Sequence, residues 1–458
     1  MSDTIQPGSA AQRPAPSRVS SPTPPFLWAA VLVAALPGFA LGGALFGHHA
    51  GIWWAAAAQA HGHAQLFGWA GLLVIGVTLH FLPRLRGTSL QAPWLVPWVL
   101  SLYGGGIVLR VVVQPLAPFA PALAPLLPLS ALLELAGALL AGSIVVRSVL
   151  SGVPLAQRPG FIQVVPWLAA TLVGLLLGLV ANLLAMLGAA TDPLALAPLP
   201  WQPATLLLGL YGFLVCISVA MSARTLPLYL RVRPASASGL NIVLALLVAG
   251  LILRLVAARE APPWLGAVGQ LVLAAALVGA CWQVDAPLLR TRAAILAEAR
   301  RRAEAYGQAP RPLTESERGY LPAELLVRSA YAWLLVAALL LVVGGLAAPL
   351  GFPAPPADAE RHAVGAGFIT LLIFGVGVYL LPGFRGRRIA SFRLVWATLW
   401  LGNLAALLRV APILLLWAMG AVGSVPTGRV LLGLASLAGV LDLIAVLLFA
   451  LNLWRTWR

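Results

Sequence analysis

The chain contains very little charge and almost no cysteine. Of its 458 residues only 9% are charged, whereas 61% are hydrophobic, and the mean hydropathy is +0.94. This composition excludes an ordinary soluble domain and predicts an integral membrane protein. Cys216 and Cys281 each lie inside an apolar run without a CxxC partner, which excludes disulfides, iron–sulfur clusters and thiolate zinc sites.

Lysine is also absent, so the net charge of +16 comes from arginine alone. The arginines lie between apolar runs, where the positive-inside rule places them, so the basic charge indicates membrane lipid rather than nucleic acid as the partner. Residues 1–25 are rich in Pro and Ser and predict a disordered tail without a cleaved signal peptide.

Apolar runs long enough to cross a hydrocarbon core predict the fold class. We expect an all-α polytopic membrane protein with twelve transmembrane helices. The predicted spans are 26–46, 62–83, 94–114, 122–146, 165–188, 203–228, 238–258, 263–284, 326–349, 361–382, 393–417 and 428–452.

Arginine clusters fall in every second loop, on the side of the N-terminus, which predicts cytoplasmic N- and C-termini. The charged segment 286–325 lies on the same side and predicts a cytoplasmic loop whose helix is solvated, rests on lipid headgroups or binds a partner. Lysine-free usage rich in Ala, Leu, Gly and Arg is typical of a GC-rich bacterial genome, so we expect the bacterial inner membrane.

The chain contains an internal threefold repeat. Residues 63–111 align without gaps with 362–410, and a weaker copy lies at an offset of 144 from the first. Each copy has a Leu-Pro followed, 27 residues after the Pro, by Arg110, Arg254 or Arg409. The twelve helices therefore predict three pseudo-symmetric four-helix units, 26–150, 165–285 and 326–452. In the middle copy Leu207 replaces the histidine.

Matched histidines on helices 2 and 10 predict a haem site. His63 and His362 occupy the same repeat position, so we expect them at equal depth, where two imidazoles can bind one haem b. Arg110, Arg254 and Arg409 are candidates for the haem propionates, since Arg binds carboxylates bidentately. The alternatives are histidines that hydrogen-bond between helices and arginines that snorkel to the interface.

The remaining histidines leave two alternatives open. His48 and His49 precede helix 2, and together with His61 they could bind copper through imidazoles, or all three could be interfacial histidines without a ligand. His80, near the cytoplasmic side, is either an interfacial anchor or part of a second cofactor site.

Two acids lie well inside apolar runs, Glu134 in helix 4 and Asp442 in helix 12. A buried acid is costly unless it faces the protein interior, so both are candidates for a proton or cation path, or for hydrogen bonds between helices.

The segment QAHGHAQLFGWAGLLVIGVTLHFLPRLRG (59–87) and its repeat RHAVGAGFITLLIFGVGVYLLPGFRGRR (361–388) resemble the NnrS family of bacterial inner-membrane proteins. Members of that family are described as haem- and copper-containing proteins associated with nitric oxide metabolism and nitrosative stress. The resemblance implies haem, and also copper, at His61, His63 and His362. The chain has fewer histidines than the family pattern.

A more remote likeness is to the catalytic subunit of haem-copper oxidases and nitric oxide reductases, which has twelve spans and binds its low-spin haem through histidines on helices 2 and 10. His63 and His362 match that placement. That subunit also needs three histidines on helices 6 and 7 and a second one on helix 10, whereas this chain has no histidine between 81 and 361. A complete binuclear centre is therefore not expected.

The sequence thus predicts an inner-membrane haem protein with a role in nitric oxide sensing, binding or electron transfer, working with respiratory or denitrification proteins. Two other classes stay open. The repeats, acids and arginines also suit a transporter without haem, and the segment 286–325 suits an assembly partner of a respiratory complex.

Overall fold

The computed structural model describes residues 21–47, 51–230, 232, 234–259, 262–285, 301, 304–305, 307, 320–347, 349–420 and 425–458. Within these ranges the chain is helical, and twelve helices are long and apolar enough to cross a membrane, which confirms the predicted fold class. Helices α1 to α12 are, in order, Thr23–Ala44, Trp53–Leu85, Pro93–Leu116, Pro121–Leu150, Gly160–Ala189, Trp201–Leu230, Ala237–Ala257, Pro263–Val284, Leu321–Ala347, Ala357–Arg385, Phe392–Met419 and Thr427–Trp457.

Several helices begin before their predicted boundaries, among them α1, α2 and α9. Helix α1 begins at Thr23, inside the segment expected to be a tail, and α9 begins at Leu321, before the expected end of the loop 286–325. Helix α2 begins at Trp53 rather than near residue 62, because the alanine run 55–58 favours helix although its hydropathy is modest. His61 and His63 therefore lie inside α2 rather than at its end. Residues 1–20 and most of 286–319 lie outside the described residues.

Each repeat unit contains a π-helical segment at the same place in its second helix. The segments are Ala64–Gly71 in α2, Leu208–Val215 in α6 and Ala363–Thr370 in α10. Their starting residues are separated by the same offsets that relate the three sequence copies. A π segment widens the helix by one residue per turn and marks functional sites frequently. The three-unit pseudosymmetry is thus present in backbone conformation as well as in sequence.

The second helix of each unit lies at the centre of the molecule. In an 18-residue apolar stretch of each helix, 78% of the residues are buried in α2 and 72% in α6 and α10, whereas only 28% are buried in α7. The three π segments contact one another in pairs, and Trp69 Nε1 donates to Thr370 Oγ1 at 3.3 Å between α2 and α10. Residues on the inner faces of these helices can therefore enclose a site, while α7 presents most of its surface to lipid.

Candidate functional site: a cavity between α2 and α10

A large cavity opens between α2, α6 and α10 and is closed by parts of α1, α11 and α12. Its volume is about 580 Å³, within the range of roughly 300–1,000 Å³ that is typical of cofactor and ligand sites. Most of its wall is apolar, including Phe39, Trp54, Leu66 and Trp69. We refer to it as the main cavity. Its titratable lining residues are His61, Asp358, Arg361, His362, Arg409 and Asp442.

Two histidines line the main cavity, and each has its Nδ1 beside a backbone carbonyl. His61 Nδ1 lies 2.8 Å from the carbonyl oxygen of Gly38, and His362 Nδ1 lies 2.9 Å from that of Asp358. A carbonyl only accepts, so each Nδ1 carries the proton and donates it. The lone pair of each neutral ring is then on Nε2. A backbone carbonyl that fixes Nδ1–H in this way is the usual arrangement behind a metal-binding histidine.

The backbone of α1 explains why His61 finds an acceptor. Helix α1 contains the π-helical segment Ala34–Ala40, interrupted by Pro37. A π turn disturbs the regular hydrogen-bond ladder, so the Gly38 carbonyl in this segment can also accept from a side chain. Gly42 contributes space, because a Cβ there would lie 2.6 Å from His61 Cε1. A π segment and a glycine of α1 thus orient His61.

Glycines keep the main cavity open beside both histidines. Gly62 and Gly365 line it, and a Cβ placed on either would meet no atom within 4 Å. By contrast, a Cβ at Gly68 on the same helix α2 would lie 2.4 Å from Val33, so that glycine serves helix packing. The glycines at 62 and 365 leave room for a bound group.

His63 points away from the main cavity into a buried polar cluster. Its Nε2 lies 2.7 Å from Glu134 Oε2, and its Nδ1 lies 2.8 Å from Arg110 Nη1. Arginine only donates, so Nδ1 is the acceptor and Nε2–H donates to the carboxylate. Both ring nitrogens are thus engaged within the protein. The histidine that shares the main cavity with His362 is therefore His61, whereas His63, expected from the sequence to face His362, has both ring nitrogens bonded to Glu134 and Arg110.

The His63 cluster comprises His63, Arg110, Gln114, Glu134 and Asn182, of which all but His63 are completely buried and His63 is 2% exposed. Arg110 also donates to Gln114 Oε1 at 3.0 Å and to Asn182 Oδ1. The cluster joins α2, α3, α4 and α5 and balances one positive against one negative charge. Glu134 is therefore a hydrogen-bond partner between helices, one of its two predicted roles.

The three repeat arginines have different environments. Arg409 lines the main cavity and pairs with Asp358 Oδ2 at 2.7 Å. Arg110 belongs to the His63 cluster, and Arg254 binds Glu360 through two hydrogen bonds of 2.8 and 3.1 Å. Of the three, only Arg409 is placed to meet a group in the main cavity, and Arg361 joins it there.

Arg254 lines a second, smaller cavity of about 220 Å³ between α6, α7, α8 and α10. Tyr211 donates to Glu360 Oε1 at 2.5 Å, so that carboxylate has two partners. Leu207, which replaces the repeat histidine in α6, lies in the wall. The Arg254–Glu360 ion pair thus lies in the same cavity wall as Leu207, the residue that replaces the repeat histidine.

The copper site predicted from His48, His49 and His61 is not assembled by the described residues, because His48 and His49 lie outside them. Among the residues that the structure does describe, no group of three or more His, Cys, Asp or Glu side chains could hold a metal ion. His80 lies away from the main cavity: its Nδ1 is 2.6 Å from Ser21 Oγ, and its ring packs on Phe384 at 3.9 Å between centroids.

Sequence reasoning missed three residues of the site. Asp358 lies four residues before His362 on one helix face, with Oδ1 3.3 Å from Nδ1, and this spacing was visible in the sequence. Arg361 is adjacent to the predicted ligand and was equally visible. Gln59, which accepts from Gln114 Nε2 at 2.9 Å and lines the main cavity, had no signal in the sequence.

Comparisons with known proteins identify the fold. No family model matches the chain, and no curated protein matches it. Among solved structures, a haem-copper terminal oxidase determined as a dimer by cryo-electron microscopy is similar, with a TM-score of 0.68 and 12% sequence identity, covering 94% of this chain and 81% of the oxidase chain. The chain therefore has a haem-copper oxidase-like fold and is a multi-pass membrane protein.

Proposed function

We propose that this membrane protein with a haem-copper oxidase-like fold binds one b-type haem in the main cavity, with His61 and His362 as the two axial ligands. The observation that carries the proposal is that two histidines of one cavity make the same hydrogen bond: each donates Nδ1–H to a backbone carbonyl and leaves Nε2 as the acceptor. Two neutral imidazoles are a common axial pair for a haem iron.

The surroundings of the two histidines suit a haem. Apolar side chains and the open faces of Gly62 and Gly365 fit a flat apolar ring. Arg361 and Arg409 line the same cavity. Arg361 is adjacent to His362 in sequence, and Arg409 pairs with Asp358. Their guanidinium groups suit two propionates. Asp358 positions both His362 and Arg409, because its backbone carbonyl accepts from His362 Nδ1 and its carboxylate pairs with Arg409.

A bound haem supplies a one-electron redox centre, and the chain's own residues limit what that centre does. His61 and His362 fill both axial positions, so electron transfer is favoured over gas binding unless one histidine is released. The side chains of Phe39, Leu66 and Trp69 make much of the cavity wall apolar. The ligand histidines of a second metal are missing from α6 and α7, since no histidine occurs between 81 and 361.

We place this electron transfer in nitric oxide metabolism or the nitrosative stress response at the bacterial inner membrane, with cytoplasmic termini. The support is the resemblance of 59–87 and 361–388 to the NnrS family. Copper is the weaker part of that resemblance. His61 faces the main cavity, so His48 and His49 would have to supply the copper ligands.

The test is an optical spectrum of the detergent-purified protein, oxidised and dithionite-reduced, for the wild type and three single variants. We expect sharp reduced α and Soret bands in the wild type and in His63→Ala, and their loss or broadening in His61→Ala and His362→Ala. His63→Ala is the matched control, because it removes a histidine of the same helix two residues away. Size-exclusion profiles establish that each variant is folded.

Two outcomes contradict the proposal. Bands that survive in His61→Ala but disappear in folded His63→Ala would restore His63 as the ligand. A colourless wild type, expressed with ample haem supply, would reject the haem and favour the transporter, for which Glu134, Asp442 and the repeat arginines are the residues to change.

A further inference from the structure

Asp442 brings a carboxyl group to the main cavity from helix α12. It lies midway along that helix, is only 4% exposed, and lines the cavity. Its Oδ1 atom is buried without a hydrogen-bond partner among the described residues. Asp358 and His362, by contrast, lie in the first two turns of α10. Asp442 is therefore an acid of the cavity wall that the proposed haem ligation does not use.

The face of α12 around Asp442 is built from small residues. Ala435, Ala438 and Gly439 line the main cavity together with Asp442, at the spacing of one helix face. A Cβ at Gly439 would lie 2.5 Å from the backbone nitrogen of Gly43, so the glycine permits close contact between α12 and α1. The residues of α12 that line the main cavity before Asp442 are therefore small.

The elements packed against α12 provide little charge near Asp442. Helix α1 has no charged or titratable side chain between Thr23 and Ala44. The groups that share the cavity with Asp442 are His61 from α2, Asp358, Arg361 and His362 from α10, and Arg409 from α11. Arg409 pairs with Asp358. Arg385, the last residue of α10, packs on Trp457 at the end of α12. Asp442 lies at the middle of α12, so this arginine is not beside it.

An ionised carboxylate buried in this position is costly without a compensating charge, because burial of an unpaired ion costs several kcal/mol even after relaxation of the protein. Asp442 therefore ionises only where uncompensated positive charge lies near it. Arg361 and Arg409 line the same cavity but would be matched by the two propionates. With two neutral imidazoles, ferric haem is more positive than ferrous haem by one unit, so the ferric state favours the ionised carboxylate and the ferrous state the protonated one.

We propose, on the basis of the proposed haem function, that Asp442 couples electron transfer to proton transfer. Asp442 is ionised while the iron in the main cavity is ferric, and it takes up one proton when one electron from a one-electron donor reduces that iron. One electron enters the iron and one proton enters the carboxylate, so the charge of the cavity is the same before and after. Reoxidation releases the proton.

The experiment is a redox titration of the purified haem protein at several pH values, with midpoint potentials read from the reduced α band. A one-proton, one-electron couple changes by about 59 mV for each tenfold change in proton activity. We expect a pH range with this slope in the wild type and a flat profile over the same range in Asp442→Asn. The potential of Asp442→Asn should be higher than that of the wild type at alkaline pH, because the negative charge that stabilises ferric iron is missing.

Two further variants keep the result interpretable. Glu134→Gln changes another buried acid, which lies in the His63 cluster beside Arg110 rather than in the main cavity, and it should retain the slope. Asp442→Glu should restore the slope that Asp442→Asn abolishes. Redox-induced infrared difference spectra should show a carboxyl C=O signal in the wild type and in Glu134→Gln that is lost in Asp442→Asn.

Each outcome distinguishes this proposal from the haem assignment. If the purified protein has no haem bands, the proposed function is contradicted and the redox titration is not reached. Haem bands with a slope unchanged in Asp442→Asn would overturn the role of Asp442 and leave the haem ligation standing. A slope lost equally in Glu134→Gln would assign the proton to the His63 cluster instead.

Discussion

Two histidines of α2, two residues apart, occupy opposite kinds of environment. His63 has both ring nitrogens bonded to charged partners of other helices, at 2.7 and 2.8 Å. His61 has one nitrogen fixed by a backbone carbonyl and the other available to a cavity of about 580 Å³. A fully hydrogen-bonded histidine stabilises helix contacts, whereas a half-bonded histidine facing an apolar cavity is available to a ligand. Conformity to the repeat therefore does not decide which histidine of α2 faces the main cavity, since it is His63 that matches His362 in sequence.

The largest effect is expected from breaking the His63 cluster. Glu134→Ala leaves the Arg110 guanidinium buried without its counter-charge, and removal of one partner from a buried ion pair costs about 3–5 kcal/mol. We expect the free energy of unfolding in detergent to fall by that amount, as measured by denaturant titration. Glu134→Gln, which still accepts from His63 Nε2, should lose less. Equal losses in both variants would show that the negative charge of Glu134, rather than its packing or its hydrogen bond, dominates the cluster.

Filling the main cavity should instead remove the haem and spare the fold. Gly365→Leu projects a side chain into the space beside His362, where a Cβ meets no atom within 4 Å. We expect haem affinity to fall about a hundredfold, or about 2.8 kcal/mol, in a reconstitution titration of the purified apoprotein. Gly433→Leu is the matched control, because that glycine is exposed on α12 with no neighbour within 4 Å. Unchanged affinity in Gly365→Leu would place the haem elsewhere.

A moderate fall in haem affinity is expected when a positive charge is removed from the wall of the main cavity. Arg409→Gln removes a guanidinium group that lines the main cavity, and we expect haem affinity to fall about tenfold, or about 1.4 kcal/mol. Arg254→Gln, which lies in the small cavity and pairs with Glu360, should leave haem affinity unchanged although it lowers stability. The same reconstitution titration measures both. A larger loss in Arg254→Gln than in Arg409→Gln would move the propionates to the small cavity.

The smallest loss of stability is expected from breaking the hydrogen bond between the π segments of α2 and α10. Thr370→Val removes the acceptor of Trp69 Nε1 between α2 and α10. Hydrogen bonds between membrane helices contribute about 0.6 kcal/mol on average, so unfolding should become easier by roughly this amount, with unchanged haem bands. A change in the haem spectrum would show that this contact also orients His61 and His362.

The sequence was sufficient for the helices and for the repeat. The spans follow from hydropathy, because every backbone polar group in a bilayer must be bonded internally, and predicted and observed spans agree at most ends. The main exception, the start of α2 at Trp53, arose because an alanine-rich stretch is strongly helical without being strongly hydrophobic. The expectation of one histidine each on α2 and α10 at a shared site also came from the sequence, through the repeat.

The choice between His61 and His63 could not come from the sequence. The two side chains point about 200° apart on a helical wheel, and which one meets α10 depends on how α2 is rotated against its neighbours. The π segments that begin immediately after His63 and after His362 alter that rotation, and nothing in the hydropathy pattern marks them. The carbonyl that accepts from His61 belongs to a further π segment, Ala34–Ala40 in α1, which is more than 20 residues earlier in the sequence.

By itself, then, the sequence determined the number of membrane spans, the three four-helix units and the helices that carry histidine, because hydrophobic length and repeat spacing are properties of the chain. Only the tertiary structure decided that Glu134 and Arg110 engage both nitrogens of His63, that His61 and His362 meet in one cavity, and that Asp442 joins them from α12. Those outcomes depend on contacts between helices far apart in the chain, which fix the rotation of each helix and so decide which side chains share a cavity.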